Sequence, residues 1–349
     1  MGFNKKTKVI IYFSLIFLGL AFHIWREINL SNTASLEDDL FIVENGWNLF
    51  DTSEALEKNG FIKDKELFNI YVLFSGNQKG LQAGTYNLNS SMSIVSIAQK
   101  IITGKTIKQK ITIPEGWNLR DIGWYLESKG MFQAEELFEL VGFPAIDCSE
   151  GSDLPEPKDF SSDYDFLTTK PQNLSLEGYL FPDTYEIEKD SSLEVIVKKM
   201  LLNFNIKLTQ DLRGEIEKQR KTIFDIIVMA SLLEKEVRGV EDKKIVSGIL
   251  WKRLENYFPL QVDATIAYIT SKKTTQISIT ETKTESPYNT YKYLGLPVGP
   301  ICNPGIESIK AAIYPESNEY WYYLSTPEGE TIFSKTLLEH NIAKAKYLK

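Results

Sequence analysis

Eleven residues of this chain return seventy positions further on, and that repeat limits the possible fold more than any other feature. Phe41-Ile-Val-Glu-Asn-Gly-Trp-Asn-Leu-Phe-Asp51 is echoed by Ile111-Thr-Ile-Pro-Glu-Gly-Trp-Asn-Leu-Arg-Asp121. The match continues through Leu56-Glu57 and Leu126-Glu127, Gly60 and Gly130, then Glu66-Leu67-Phe68 and Glu136-Leu137-Phe138. Self-similarity at a fixed offset marks one supersecondary unit used twice. Each copy reads as a short strand, a glycine turn, and a helix capped by Asn48 or Asn118 and ended at Gly60 or Gly130. A second short helix starts near Asp64 or Ala134. Between the copies, residues 81–88 read as extended, and 94–102 as an amphipathic helix with Ile94, Ile97, Ala98 and Ile101 on one face.

The N-terminus carries a topological signal. Lys5, Lys6 and Lys8 precede residues 9–25, a stretch of 17 residues without a charge. That length lies at the short edge of a spanning helix, and the basic flank favours an inside N-terminus. The stretch ends in Phe22-His23-Ile24-Trp25, with no small-x-small cleavage site, so an uncleaved anchor is expected rather than a signal peptide. The chain then divides into a cytoplasmic tail (1–8), a single transmembrane helix (9–25) and a polar stalk (26–40), and everything further on lies outside the cytoplasmic membrane.

With a net charge of −8 over 349 residues, nucleic acid is not the expected partner. There is no glycine-rich phosphate loop. His23 and His340 cannot build a metal site, and Cys148 and Cys302 show no CxxC spacing, so neither metal nor cofactor is expected and both thiols are read as free. Residues 144–173, rich in Pro, Ser and Asp, read as a long loop. Beyond it the texture is mixed α/β: helices over 193–212, 222–238 and 243–256, short strands and turns through much of 259–333, and a last helix over 334–348. The fold class expected is α+β.

The segment Thr222-Ile-Phe-Asp-Ile-Ile-Val-Met-Ala-Ser-Leu-Leu-Glu-Lys-Glu-Val237 starts like a capping box and stays apolar, Ser231 excepted, as far as Leu233. Glu234 continues the line of Ile223, Ile227 and Ala230. A carboxyl on an apolar face loses hydration, which favours its neutral form and suits a proton donor. Glu236 points about 200° away, and periodicity does not choose between the two. Four other stretches crowd aromatic, amide and turn residues together: 176–185, 260–264, 286–291 and 295–305. Such loops fit a sugar-binding cleft. Their candidate contacts are Glu177, Tyr179, Gln261, Asp263, Tyr288 and Asn289, with Gln261 and Asp263 on one side of an extended segment.

In their order and spacing, the strings EGYLFPDTY (177–185), ASLLEKEV (230–237), LQVDATIAY (260–268), SPYNTY (286–291) and GLPVGPICNPG (295–305) resemble the endolytic murein transglycosylase, or YceG-like, family. The likeness implies that Glu234, first of the Glu-Lys-Glu string, is catalytic. It also implies a LysM-like glycan-binding region over 41–143, a catalytic domain over 144–349, peptidoglycan glycan strands as substrate, and a peptidoglycan synthase as partner. The implied reaction is a lyase step at the bond between N-acetylmuramic acid and N-acetylglucosamine, leaving a 1,6-anhydro end. Two departures stand out. The family often has LQTDP where this chain has LQVDA, and residues 271–285 are Ser/Thr/Lys-rich and look shortened. Two other readings compete: a tethered peptidoglycan-binding protein without activity, and a hydrolytic muramidase in which Asp263 is a second catalytic acid.

Overall fold

The structure is a computed structural model that describes residues 5–29, 38–145, 154–272 and 277–348. Cys148 and most of the stalk lie outside the described residues. The described part of the chain begins with α1 (Lys5–Asn29), whose stretch Ile11–Asn29 is long and apolar enough to cross a membrane.

Two compact units follow from the packing. The first comprises the chain up to Ile111 together with Glu186–Ser191, and the second Thr112–Tyr185 together with Ser192 onward. In the first unit, α1 is followed by β1 (Asp39–Val43), α2 (Leu49–Lys58), α3 (Lys65–Phe74), β2 (Gly84–Leu88) and α4 (Ile94–Ile102). β1 and β2 are antiparallel, with Asp39 opposite Leu88 and Val43 opposite Gly84. Phe41, Leu56, Phe68, Val72, Tyr86, Ile97 and Ile101 fill the space between strands and helices, and Ile28 of α1 joins that core. The expected helical face of 94–102 is therefore the buried one.

The repeat is structural. β3 (Lys108–Thr112), α5 (Leu119–Ser128) and α6 (Ala134–Val141) reproduce β1, α2 and α3. Asn48 with Asp51, and Asn118 with Asp121, form reciprocal capping boxes. The turn glycines Gly46 and Gly116 both hold positive φ, at 92° and 77°. The duplication also runs further than the seventy-residue offset. The second copy closes, after the 144–183 excursion, with β4 (Thr184–Glu188) and α7 (Leu193–Lys207), as the first closes with β2 and α4. Leu180-Phe-Pro-Asp-Thr-Tyr185 matches Leu81-Gln-Ala-Gly-Thr-Tyr86, and Ser192 caps α7 as Ser93 caps α4. Tyr86 and Tyr185 each donate their hydroxyl to the carbonyl four residues back, of Gln82 and Phe181. β3 pairs with β4, and the division between the two units runs through both strands. The two copies, read from sequence as one region over 41–143, thus fall largely into different units.

The second unit continues with α8 (Gln210–Lys218), α9 (Ile223–Glu236), α10 (Val240–Glu255), α11 (Asp263–Thr270), α12 (Ile306–Ile313), the hairpin β5 (Tyr322–Ser325) and β6 (Thr331–Ser334), and α13 (Leu337–Tyr347). Helix α9 is its centre. Every residue from Ile226 to Leu233 is buried, and the helix packs on α8, α10, α11 and α12. A helix apolar all round has no stable position except the interior. Three expectations change here. The single helix over 193–212 breaks at Leu208, because the Thr209 side chain caps a new helix by accepting from Leu212 N. Residues 263–270 and 306–313, read as strands and turns, are helices. Gln261 and Asp263 do not share an extended strand: Gln261 takes a left-handed turn (φ 50°) and Asp263 opens α11.

Gly178 shows how tightly α9 is enclosed. It holds φ 89°, and a Cβ there would lie 2.7 Å from both Ile227 Cγ2 and Pro300 Cβ. Gly60 holds φ 77° with nothing within 4 Å. Gly178→Ala is expected to cost about 3 kcal/mol by adding overpacking to backbone strain, and Gly60→Ala about 1 kcal/mol from strain alone. Denaturant titration of the two variants measures the difference.

Candidate active site

Helix α9 ends on two glutamates, and the helical turn sends them to opposite sides. Glu234 enters a nest of donors. Its Oε2 accepts from Lys243 Nζ on α10 at 3.3 Å, from the backbone N–H of Gly305 at the start of α12 at 3.1 Å, and from Ser308 Oγ at 2.5 Å. The carboxylate and ammonium side chains are 10% and 7% exposed, so this is a nearly buried ion pair. The apolar surroundings expected from periodicity end one residue earlier, at Leu233. The turn of the second repeat copy docks alongside: Lys235 Nζ donates to Gly116 O at 3.2 Å, and the Glu115 carboxyl lies against Gly305, where a Cβ would be 2.0 Å from Glu115 Oε1. Burial first, and then the charge of Glu234, raise the Glu115 carboxyl above its usual range.

Glu236 enters a different setting. Its Oε2 accepts from Tyr323 Oη on β5 at 2.9 Å and its carboxyl also accepts from Ala264 N, in the first turn of α11. Burial pushes this carboxyl up to about 7. The Tyr323 hydrogen bond opposes that rise, the neighbouring Asp263 charge adds to it, and the Ala264 N–H and Arg253 oppose it again. Asp263 itself is exposed and accepts from Tyr291 Oη. Buried Arg253 fixes the frame of the cluster: Nε and Nη2 donate to Trp321 O at 2.9 and 2.6 Å, and Nη1 donates to Leu260 O at 2.7 Å. One guanidinium thereby holds both the start of β5 and the loop that presents Gln261. Gln261 is exposed, and its N–H donates to Thr290 O at 3.2 Å.

Of the residues expected to touch a glycan, Asp263 therefore gathers with Glu236 and not with Glu234, and Gln261 is exposed two residues before it. The other four are interior. Glu177 is 1% exposed; Leu119 N and Tyr268 Oη donate to one of its oxygens at 3.1 and 3.0 Å, and Asn303 Nδ2 to the other at 3.2 Å. It ties together the start of α5, α11 and the 295–305 loop, and burial pushes it up to about 8. Tyr179 stacks on Phe166, with centroids 6.0 Å apart, and Tyr288 leans on Tyr268 at 5.2 Å. Asn289 donates to Thr282 O and Thr284 O at 3.0 and 2.7 Å and accepts from Tyr291 N at 2.9 Å, which fixes the loop carrying Tyr291. These side chains face inward because turn-rich strings also pack well, and sequence alone does not tell a ligand contact from a well-made turn. Tyr291, Tyr323 and Arg253 were not singled out from the sequence; Tyr291 ends the SPYNTY string, and the other two carry no local signal.

The 295–305 loop lies along α9. Ile301 N donates to Ser231 Oγ at 3.1 Å and Cys302 Sγ to Ser231 O at 3.3 Å. Ser231, the polar interruption of the apolar run, is thus the residue that receives this loop. Burial raises the Cys302 thiol well above its usual value. Among the described residues no group of three or more His, Cys, Asp or Glu could hold a metal ion.

The chain that carries this helix has relatives among known proteins. The match to the YceG-like family covers residues 41–346, and the chain belongs to that family. It is 33% identical over 308 residues to the endolytic murein transglycosylase of Bacillus subtilis (strain 168), covering 88% of this chain and 84% of that protein. It is 29% identical over 322 residues to the protein of the same name from Streptococcus pneumoniae serotype 2, covering 88% of this chain and 58% of that protein. The crystal structure of a YceG-like protein from Listeria monocytogenes, 30% identical, superposes with a TM-score of 0.57 over 89% of this chain and 100% of that one.

Glu177 offers a stability test. Its folded value, about 8, lies above the usual 4.5, so its contribution is complete below pH 4.5 and is lost as pH rises through 8. The wild-type melting temperature should fall across that interval, and Glu177→Gln, which mimics the neutral carboxyl, should flatten the fall. Thermal melts at a series of pH values read both slopes.

Proposed function

We propose that this protein is a membrane-anchored lytic transglycosylase that cuts peptidoglycan glycan strands between N-acetylmuramic acid and N-acetylglucosamine, with Glu236 as its acid and then its base. The observation that carries the assignment is the setting of Glu236: a partly buried carboxyl raised to about 7, beside an exposed Asp263. A group that must first give and later take a proton near neutral pH works best at such a value. Glu234, which the family likeness implies for the role, is instead held by an ammonium, a hydroxyl and a backbone N–H, three donors that suit an anion. Its role in this reading is to lock α9, α10 and α12 together behind the cleft.

In the reaction, protonated Glu236 gives its proton to the glycosidic oxygen as the bond from that oxygen to the muramic anomeric carbon breaks. Positive charge develops at that carbon, and the Asp263 carboxylate stabilises it. The Glu236 carboxylate then takes the proton from the same sugar's C6 hydroxyl, whose oxygen closes on the anomeric carbon as a 1,6-anhydro ring. No water is consumed, and Glu236 ends as it began. Gln261 and Asp263 hold the sugar. The endolytic cut, the termination of nascent strands and a synthase partner come to this chain from its relatives' name and family. The strand–helix–helix–strand of the first unit, with its antiparallel β1 and β2, supports a LysM-like role in holding glycan. The N-terminus lies inside, α1 crosses the membrane, and both units work outside.

Mass spectrometry of digested glycan strands tests the reaction: products ending in anhydromuramic acid lack one water relative to the reducing ends of a hydrolase. Glu236→Gln should lower kcat by about 10²–10⁴-fold, and Glu234→Gln should mainly lower stability. A dead Glu234→Gln beside a near-normal, equally well folded Glu236→Gln would return the role to Glu234. Because Glu236 must start protonated, kcat/KM should fall as pH rises through about 7. Asp263→Asn, which removes a charge that raises Glu236, should move that limb to lower pH.

A further inference from the structure

The first unit contains a cavity of about 560 Å³ with an unusual pair of walls. One wall is α1, through Phe17, Ala21, Ile24 and Trp25; the other is α3, through Ile70, Tyr71 and Phe74. Phe74 is the most exposed large apolar residue of this unit, at 89%, and Ile70 and Leu73 on the same helix are exposed as well. Ile70, Leu73 and Phe74 stand at i, i+3 and i+4, which puts them on one face. That face has no cover among the described residues. Along α1, Ile11, Phe13, Leu15, Ile16, Phe17, Leu18 and Phe22 are likewise exposed.

The position of this face along α1 says what covers it. The first charges after the apolar run are Arg26 and Glu27, and Trp25 next to them suits the membrane–water boundary. Phe17 lies eight residues earlier, about 12 Å deeper at 1.5 Å per residue, and half a hydrocarbon core is about 15 Å. The cavity therefore spans the depth of the outer leaflet, and Phe74 faces it from the side. Below Trp25 the surrounding medium is acyl chain. Ile28 and Ile24 pack into the unit's core, which ties this face to the anchor.

We propose that the C-terminal end of α3, with Ile70, Leu73 and Phe74, is a membrane-inserting edge: it dips beside α1 into the outer leaflet, and lipid acyl chains fill the cavity between the two helices. This rests on the reading that α1 spans the membrane. It makes the first unit a body seated on the bilayer and not one swinging on a free stalk.

The test uses the full chain in liposomes of phosphatidylethanolamine and phosphatidylglycerol, with Cys148→Ser and Cys302→Ala as background. Nitroxide labels are attached at Phe17→Cys, Phe74→Cys and Lys79→Cys, one at a time. Accessibility to oxygen and to a water-soluble nickel chelate is measured for each. The proposal expects the labels at 17 and 74 both to favour oxygen severalfold over the chelate, and the label at 79 to favour the chelate. A label at 17 in lipid with the label at 74 as chelate-accessible as that at 79 overturns the inserted edge and leaves the anchor standing. A chelate-accessible label at 17 overturns both. A circular-dichroism melt of each variant in the same liposomes verifies folding. If Phe74→Cys unfolds the unit, the same comparison is read at Leu73→Cys.

Discussion

A helix without a polar face has no stable place at a surface, and α9 is such a helix from Ile226 to Leu233. Once it is forced inside, its neighbours are forced to surround it. α8, α10, α11 and α12 pack on it, and Gly178 and Pro300 close in where no Cβ fits. Ser231 takes up the 295–305 loop, and Glu177 links that loop to α5 and α11. The proposed chemistry is a consequence of where this helix stops. Its first side chains beyond the apolar run are carboxyls, delivered by a rigid element to the edge of the core, where hydration is partial and preorganised contacts have most effect.

Two residues of spacing then separate two environments. Glu234 meets Lys243, Ser308 and the N–H of Gly305; Glu236 meets Tyr323, Ala264 and Asp263. The identical side chain becomes in one case half of a buried ion pair and in the other a carboxyl raised to about 7. The neighbours set this contrast: an ammonium, a hydroxyl and a backbone N–H gather on Glu234, while burial beside Asp263 raises Glu236. Arg253 braces the cluster around Glu236, because its fork spans Trp321 and Leu260.

The repeat was legible where local rules govern it. Asn48 and Asn118, their partners Asp51 and Asp121, and the turn glycines Gly46 and Gly116 need only a few residues of chain to declare themselves. The closing half of the second copy was hidden, since the excursion after α6 stretches the offset from 70 residues to 99. Strand pairing is indifferent to that detour: loop closure grows costly only slowly with length, so β4 still returns to β3. The same excursion explains why one repeat region in sequence became parts of two packed units.

By itself the sequence determined the long apolar N-terminal segment, the mix of helices and strands, the capped helices, the buried α9 with carboxyls at its end, and the family. The family follows from the order and spacing of its motif strings, and the rest from composition and short-range periodicity, which survive without knowledge of any distant partner. Only the tertiary structure decided which loop residues face inward and which stay exposed. Glu177, Tyr179, Tyr288 and Asn289 turned to the core, Gln261 stayed exposed, and Asp263 joined Glu236. The proposed choice of Glu236 over Glu234 rests on the same level. Lys243, Tyr323, Ala264 and Gly305 reach α9 from other helices, a strand and a loop, and a carboxyl's readiness to hold a proton is set by those neighbours and not by its place in the helix.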